Sequence, residues 1–363
     1  MTASILQVVT DTDRRGAQVF ALDLDAALTR RGRVVRTVAL APGRVGGLDV
    51  AALGRRPLAV GTLRALRREA RAAAVVVAHG STTLPACAVA TLGLRTPFVY
   101  RQISDSRFWA STPARRLRVR WGLRRAARVV ALWDGAAQVL AVDFGVRNER
   151  LRVVANGVPP ERFPPVDRAS VAAARAALGL DPGRITLCYL GALVAEKGVD
   201  VAVDALGALD DAQLLVAGDG SERSALEARA ATVAPGRAVF AGSLDDPNAA
   251  LAAADVLVLP SRGGDSVPAV LIEAAFAGVP VVATPVGGIA EIVVDGVTGA
   301  LVPVGSVEGL AGAVRRVVED PAHYRALVAA AREHCAQRFA MDVVAREWDE
   351  VLAAVSAGAP RSG

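Results

Sequence analysis

At 363 residues, with 53% hydrophobic and only 4% aromatic content, the chain is long enough for two domains of ordinary size, whose cores must be built from Ala, Val and Leu. Three cysteines, Cys87, Cys188 and Cys335, lie far apart and in no metal-ligand spacing, which excludes a disulfide or zinc scaffold and suits a reducing, cytoplasmic setting. The charge balance of 42 basic and 36 acidic residues leaves +6, but neither an interleaved aromatic platform nor a helix-turn-helix signature accompanies it, so nucleic acid is not the expected partner.

The start, MTASILQVVTDTD, lacks a basic region and meets Asp11 after a very short apolar run, so no signal peptide is expected. ILQVVTD reads as a strand, followed by a Gly-containing loop and the helical pattern AQVFALDLDAALTRRG, then the strand RVVRTVAL. The uncharged stretch 72–94 is broken by His79, Gly80 and Pro85, and reads as strand AVVVAH, loop and helix, not as a membrane span. FVYRQIS and RVVALW add further strands. Nine arginines fall between Arg101 and Arg128. In ARRLRVRWGLRRAARVV, helical spacing gathers Val119, Leu123, Ala126 and Val130 on one face and sets Arg124, Arg125 and Arg128 beside Leu117 and Trp121 on the other. Two readings fit this segment: a contact with anionic lipid on the inner face of a membrane, or a solvated basic face with Trp121 packed beneath a neighbour.

LRVVANGVPPERFPPVD carries four prolines between Pro159 and Pro165 and reads as an interdomain linker. The alternation then restarts: RITLCYLG, the loop ALVAEKG, helix VDVAVDALGAL, and strands in AQLLVAGDG, AVFAGS, DVLVLPS, VPVVAT and GALVPV. Strands alternating with helices imply parallel sheets. The expected architecture is α/β, with two doubly wound Rossmann-like domains facing a cleft: residues 1–158, and residues 166–341, with a last helix at about 342–357 returning to the first.

Chemistry concentrates in the second half, at loops expected beyond the carboxyl ends of strands. DSVPAVLIEAAFAGVPVVATPVGG places Asp265 in a loop and Glu273 on an uncharged run that reads as a short buried helix. A charge buried there costs several kcal/mol, roughly, unless it is satisfied, whether by a hydroxyl-rich ligand, a nearby Arg or a helix cap. Gly191-Ala192-Leu193-Val194-Ala195-Glu196-Lys197-Gly198 joins a strand to a helix, where glycine, helix N–H groups and the Lys197 charge suit a diphosphate, though a simple turn has the same pattern. Gly218, Asp219 and Gly220 form another close-approach turn.

NGVPPERF, GALVAEKG, LLVAGDGSE, DVLVLPS, DSVPAVLIEAAFAGVPVVATPVGGIAEIV and DGVTGALVP follow in the order found in glycosyltransferase family 4, which the chain resembles from about Leu151 to Pro303. A weaker likeness lies in DTDRRGAQVFALDLDAALTRRG. The resemblance implies the GT-B fold and retaining transfer of a sugar from a UDP- or GDP-linked donor to a hydroxyl of a glycolipid, polysaccharide or small molecule, with no metal or other cofactor required. Position by position, Glu273 resembles the family's ribose-binding carboxylate. Asp265 stands where the carboxylate facing the donor sugar is usually Glu, and Lys197 looks like the diphosphate lysine; these two take the catalytic roles. Gly191, Glu196, Gly198, Gly218, Gly220, Ser266 and Val267 complete the implied donor site.

In the first half, Arg15 and Gly16 resemble the loop that approaches the donor phosphate and acceptor, and Asp11 to Asp13 suit acceptor contact. The family usually presents a His near the sugar's C6 hydroxyl in a region that here holds Arg101, Ser104 and Asp105. His79 is a candidate ligand for donor or acceptor, or a hydrogen-bonded histidine at a strand end. A second departure is Ala192, where the family usually has an Arg that joins the Lys on the diphosphate. Two other functions share the architecture: a nucleotide-sugar epimerase, which lacks the series from NGVPPERF to the carboxylates, and a non-catalytic sugar-nucleotide binding module, consistent with Asp265 and Ala192.

Overall fold

The structure is a computed structural model that describes residues 4–44, 47–244 and 246–357, and the counts given refer to these. It divides into two compact units, Met1–Val158 with Met341–Gly363, and Pro159–Ala340.

The first unit runs β1 Ser4–Val9, α1 Gly16–Arg30, β2 Val34–Ala39, β3 Ala51–Ala52, α2 Val60–Ala72, β4 Val75–His79, α3 Thr83–Ala90, β5 Phe98–Arg101, α4 Ser106–Trp109, α5 Pro113–Arg125, β6 Arg128–Ala131, α6 Asp134–Val142 and β7 Leu151–Val153. Its strands pair in parallel in the order β3-β2-β1-β4-β5-β6-β7. The order reverses between β1 and β4, the switch point at which ligands bind in open α/β sheets. Val-rich strands form here because both faces are covered, and the period of two sorts their side chains. Leu6, Val76, Ala78 and Tyr100 point into a core with Leu66, Leu84, Leu123 and Leu140 from α2, α3, α5 and α6. Ile5, Val75, Val77 and Val99 point to the other face, where Leu24 and Leu28 of α1 meet Trp348 and Leu352.

The second unit runs α7 Arg168–Ala177, β8 Ile185–Leu190, α8 Val199–Leu206, β9 Ala212–Ala217, α9 Arg223–Val233, β10 Ala238–Gly242, α10 Pro247–Ala253, β11 Val256–Leu259, α11 Ala269–Ala277, β12 Val281–Ala283, β13 Ala300–Leu301, α12 Val307–Glu319 and α13 Pro321–Arg338. Its parallel order is β10-β9-β8-β11-β12-β13, with the switch between β8 and β11. After it, α14 Met341–Ala357 rejoins the first unit, with the Met341 N–H donating to the Val158 carbonyl at 2.9 Å. Both doubly wound sheets expected from the alternation are present. The strand β3 was not legible, because Ala51–Ala52 shows no Val- or Leu-rich run, and β7 falls at the start of the stretch that reads as a linker.

Trp348 is completely buried between α1 and the sheet, so its removal opens a cavity in the first unit. Trp348→Ala is expected to cost about 3–5 kcal/mol, measured by hydrogen exchange of the β4 and β5 amides. A loss below about 1 kcal/mol would mean that α14 is not part of this core.

Candidate functional site

Four loops meet at the carboxyl edge of the second sheet. The loop after β8 is tied to the loop after β9 by backbone bonds, Gly191 N–H to the Ala217 carbonyl at 3.0 Å and Leu193 N–H to the Asp219 carbonyl at 2.9 Å. The loop after β11 is tied to the first by Arg262 N–H donating to the Glu196 carbonyl at 2.7 Å. Glycine is required where these loops touch. A Cβ on Gly218 would lie 1.8 Å from the Gly191 carbonyl oxygen, and one on Gly287, whose φ is +59°, would lie 1.6 Å from that of Asp265. Such distances leave no room for any side chain.

This close packing brings Lys197 and Asp265 together. The Lys197 ammonium donates to Asp265 Oδ1, with Lys197 24% and Asp265 5% exposed at the side chain. Asp265 Oδ2 is buried and has no hydrogen-bond partner. A carboxylate oxygen so placed is a strong acceptor awaiting a donor, and a sugar hydroxyl supplies one. Tyr189 lies beneath, its hydroxyl donating to the Ala192 carbonyl at 2.8 Å; burial, and then the Asp265 charge, push its pKa far up, so it remains a neutral donor.

The other expected donor residues are distributed around this pair. Gly191 and Glu196 are exposed, Gly198 is buried in the left-handed conformation that opens α8, and Gly220 is exposed beyond Gly218. Gly198, which opens α8, has no side chain with which to cap it. Ser266 is half-buried and Val267 buried at the entry to α11. Glu273 sits on α11, as its run implies, but it is half-buried and not enclosed: the helix turns Leu271, Ile272 and Ala274 inward and leaves Glu273 on the flank.

Sequence reasoning missed Arg262. Its guanidinium makes two bonds of 2.6 Å to the Asp200 carboxylate and one of 3.1 Å to the Ala195 carbonyl, holding the turn that carries Lys197 against the start of α8. The hydrogen bonds from Arg262 draw the Asp200 pKa below its usual value. The available signal was an Arg directly after the strand end DVLVLPS, at the same edge as the Ala192 departure.

In the first unit, Arg15 pairs with Asp11 and is exposed, and a Cβ on Gly16 would meet nothing within 4 Å. The first turn of α1 has no side-chain cap. Ser104 is exposed, while Asp105 caps α4 and binds Arg107. His79 and Arg101 are enclosed instead of displayed. Gln7 donates to the Ala21 carbonyl, which fixes its Oε1 as the acceptor of the His79 Nε2–H at 2.9 Å, whereas Nδ1 has no partner. Arg101 stacks on Phe20 at 3.7 Å and donates to Asn156 Oδ1, with its pKa drawn down to about 9 by burial. On α5, Val119 and Leu123 are buried, as is Ala126 just beyond its end, while Leu117 and Trp121 are 69% and 38% exposed; the helix expected to run on through Arg128 and Val130 ends at Arg125, and both of those residues lie on β6.

Residues 184–320 match the profile described as glycosyl transferases group 1, and residues 14–162 that described as Glycosyltransferase Family 4. The chain is 37% identical over 232 residues to the 2-deoxystreptamine glucosyltransferase of Streptomyces kanamyceticus, covering 61% of this chain and 58% of that protein. It is 35% identical over 240 residues to the D-inositol 3-phosphate glycosyltransferase of Jonesia denitrificans, covering 62% of this chain and 56% of that protein. It thus spans little more than half the length of these curated relatives. The solved structure of Anabaena Alr3699/HepE in complex with UDP and glucose superposes with a TM-score of 0.84 at 22% identity, covering 97% of this chain and 99% of that one.

Burial, and then the nearby Arg101 charge, hold the His79 pKa well below 6.5. The unfolded chain therefore binds a proton there that the folded unit does not, and stability is full above about pH 6.5 and falls as the pH drops below it. The expected slope from this group reaches about 1.4 kcal/mol per pH unit. Urea unfolding of wild type and His79→Gln across this range checks it; equal slopes would show that His79 titrates normally.

Proposed function

Since the chain belongs to glycosyltransferase family 4, with the two parallel-sheet α/β domains of the GT-B fold, we propose that it is a retaining hexosyltransferase. It moves a sugar from a UDP- or GDP-linked donor to an acceptor hydroxyl. The observation that carries this reading is the Lys197–Asp265 pair with its unpartnered buried Asp265 Oδ2, at the switch point of the second sheet.

In the proposed reaction the bond from the anomeric carbon to the diphosphate oxygen breaks, and the acceptor oxygen bonds that carbon from the same face. The acceptor's proton passes to the departing phosphate oxygen, so the protein supplies charge stabilisation more than a base. Lys197 and the positive N-terminal end of the α8 dipole meet the negative charge that grows on the diphosphate, a stabilisation greatest in the transition state. Asp265 Oδ2 accepts from a hydroxyl of the donor sugar, and Glu273, half-buried on α11, accepts from the ribose hydroxyls. Arg262 maintains the turn that aims Lys197. The charge is met without invoking a metal. UDP-glucose is the first donor to try, because HepE, which shares the fold, is seen with UDP-glucose. The acceptor is a hydroxyl compound, and exposed Leu117, Trp121, Arg124 and Arg125 favour one presented at an anionic membrane surface.

A thermal-shift panel of UDP, GDP and their sugars identifies the donor through mass action on the native state. With that donor, Lys197→Ala and Glu273→Ala are each expected to weaken binding by roughly 10- to 100-fold, as for lost charge-assisted hydrogen bonds. Unchanged affinity in both variants would sink the donor-site reading.

A further inference from the structure

The two helix layers of the first unit differ in what they show to solvent. On the α1 and α14 side, none of the exposed large apolar residues falls on either helix. On the opposite side, Val89 of α3, Leu92 just beyond it, Leu117 and Trp121 of α5, and Val142 at the end of α6 are all exposed. These helices belong to one layer, since Leu84, Leu123 and Leu140 pack into a single core. Scattered exposed apolar residues need no explanation, but their confinement to one side does.

Charge follows the same side. The α5 sequence PARRLRVRWGLRR contains six arginines and no acid. Two are occupied: Arg116 stacks over Phe144 at 5.8 Å, and Arg120 donates to the Asp143 carbonyl at 2.9 Å. Arg115, Arg118, Arg124 and Arg125 are exposed. With Val119, Gly122, Leu123 and Ala126 turned inward, helical geometry sets Leu117, Trp121 and Arg124 at the centre of the outward face, flanked by Arg118 and Arg125. The helix is held in that rotation, because a Cβ on Gly122 would lie 2.8 Å from Leu84. Arg150 fixes its end by donating to the Leu123 carbonyl at 2.7 Å.

A cationic face with an apolar centre complements a surface whose outer layer is anionic and whose next layer is apolar. We propose that the outward side of the α3, α5 and α6 layer docks on an anionic lipid bilayer, with Leu117 and Trp121 entering the headgroup boundary and Arg118, Arg124 and Arg125 meeting lipid phosphates. A soluble polyanion would use the arginines but gives Leu117 no favourable place. The inference deepens the membrane part of the proposed function and is independent of the donor chemistry.

The test is sedimentation of the full chain with vesicles of equal parts phosphatidylglycerol and phosphatidylcholine, against phosphatidylcholine alone. Binding to the mixed vesicles, weakened by salt, is expected. Arg124→Gln with Arg125→Gln should weaken it about 25-fold, at about fivefold per basic residue, and Leu117→Ser with Trp121→Ser roughly tenfold or more. Donor binding should be unchanged in both double variants, which reports an intact fold. Absence of vesicle binding overturns the proposal. So does an undiminished Leu117/Trp121 variant, which would leave only a solvated basic face, or duplex DNA bound as tightly as vesicles. A protein that binds vesicles but no nucleotide sugar would sink the donor reading and leave this one standing.

Discussion

The contact between Lys197 and Asp265 is the constraint around which the second unit's functional edge is organised. The two residues lie 68 positions apart, on loops leaving β8 and β11, the strands between which the sheet reverses direction. Bringing a cation to a nearly buried carboxylate repays its desolvation only if the geometry is held, and each neighbouring device holds it. Gly287 lets the loop after β12 rest on the Asp265 carbonyl, Gly218 lets the loop after β9 rest on Gly191, and Arg262 pins the Lys197 turn to Asp200. The result is a preorganised charge pair with one acceptor oxygen left over.

The first unit shows the opposite use of polar groups. His79 bonded to Gln7, and Arg101 bonded to Asn156, form two enclosed pairs around β1, β4 and β5, with Phe20 and Trp348 beside the His79 ring. Burial keeps His79 neutral and makes Arg101 less basic than usual, and His79 Nδ1 and Arg101 Nε and Nη1 are buried without hydrogen-bond partners. What this unit displays lies elsewhere: the uncapped start of α1 with open space at Gly16, and the basic and apolar outer face of α5.

Much of this was legible in the chain. Repeated short Val- and Leu-rich runs separated by helical patterns announce two doubly wound sheets, and glycines at strand ends mark where loops approach closely. The Arg-rich segment also revealed part of its buried face, because Val119 and Leu123 share one helical stripe, although the helix stops before Val130, which is buried on β6 instead. Three features were hidden for physical reasons. The Lys197–Asp265 contact is tertiary and leaves no local pattern. Arg101 reads as polar, yet it is enclosed, stacked on Phe20 and bonded through one nitrogen to Asn156. Glu273 lies in an uncharged run that implies full burial, but a helix covering one side of a sheet keeps a flank open.

The central claim is that Lys197 and Asp265 act on the donor as one unit, and a double-mutant cycle of nucleotide-sugar affinity tests it most directly. Lys197→Ala, Asp265→Asn and the double variant should show a coupling energy on the order of 1–3 kcal/mol, since either change alone disrupts the geometry that the other needs. Effects that add to within about 0.5 kcal/mol would contradict the account and show that the two side chains, though in contact, meet the donor independently or not at all.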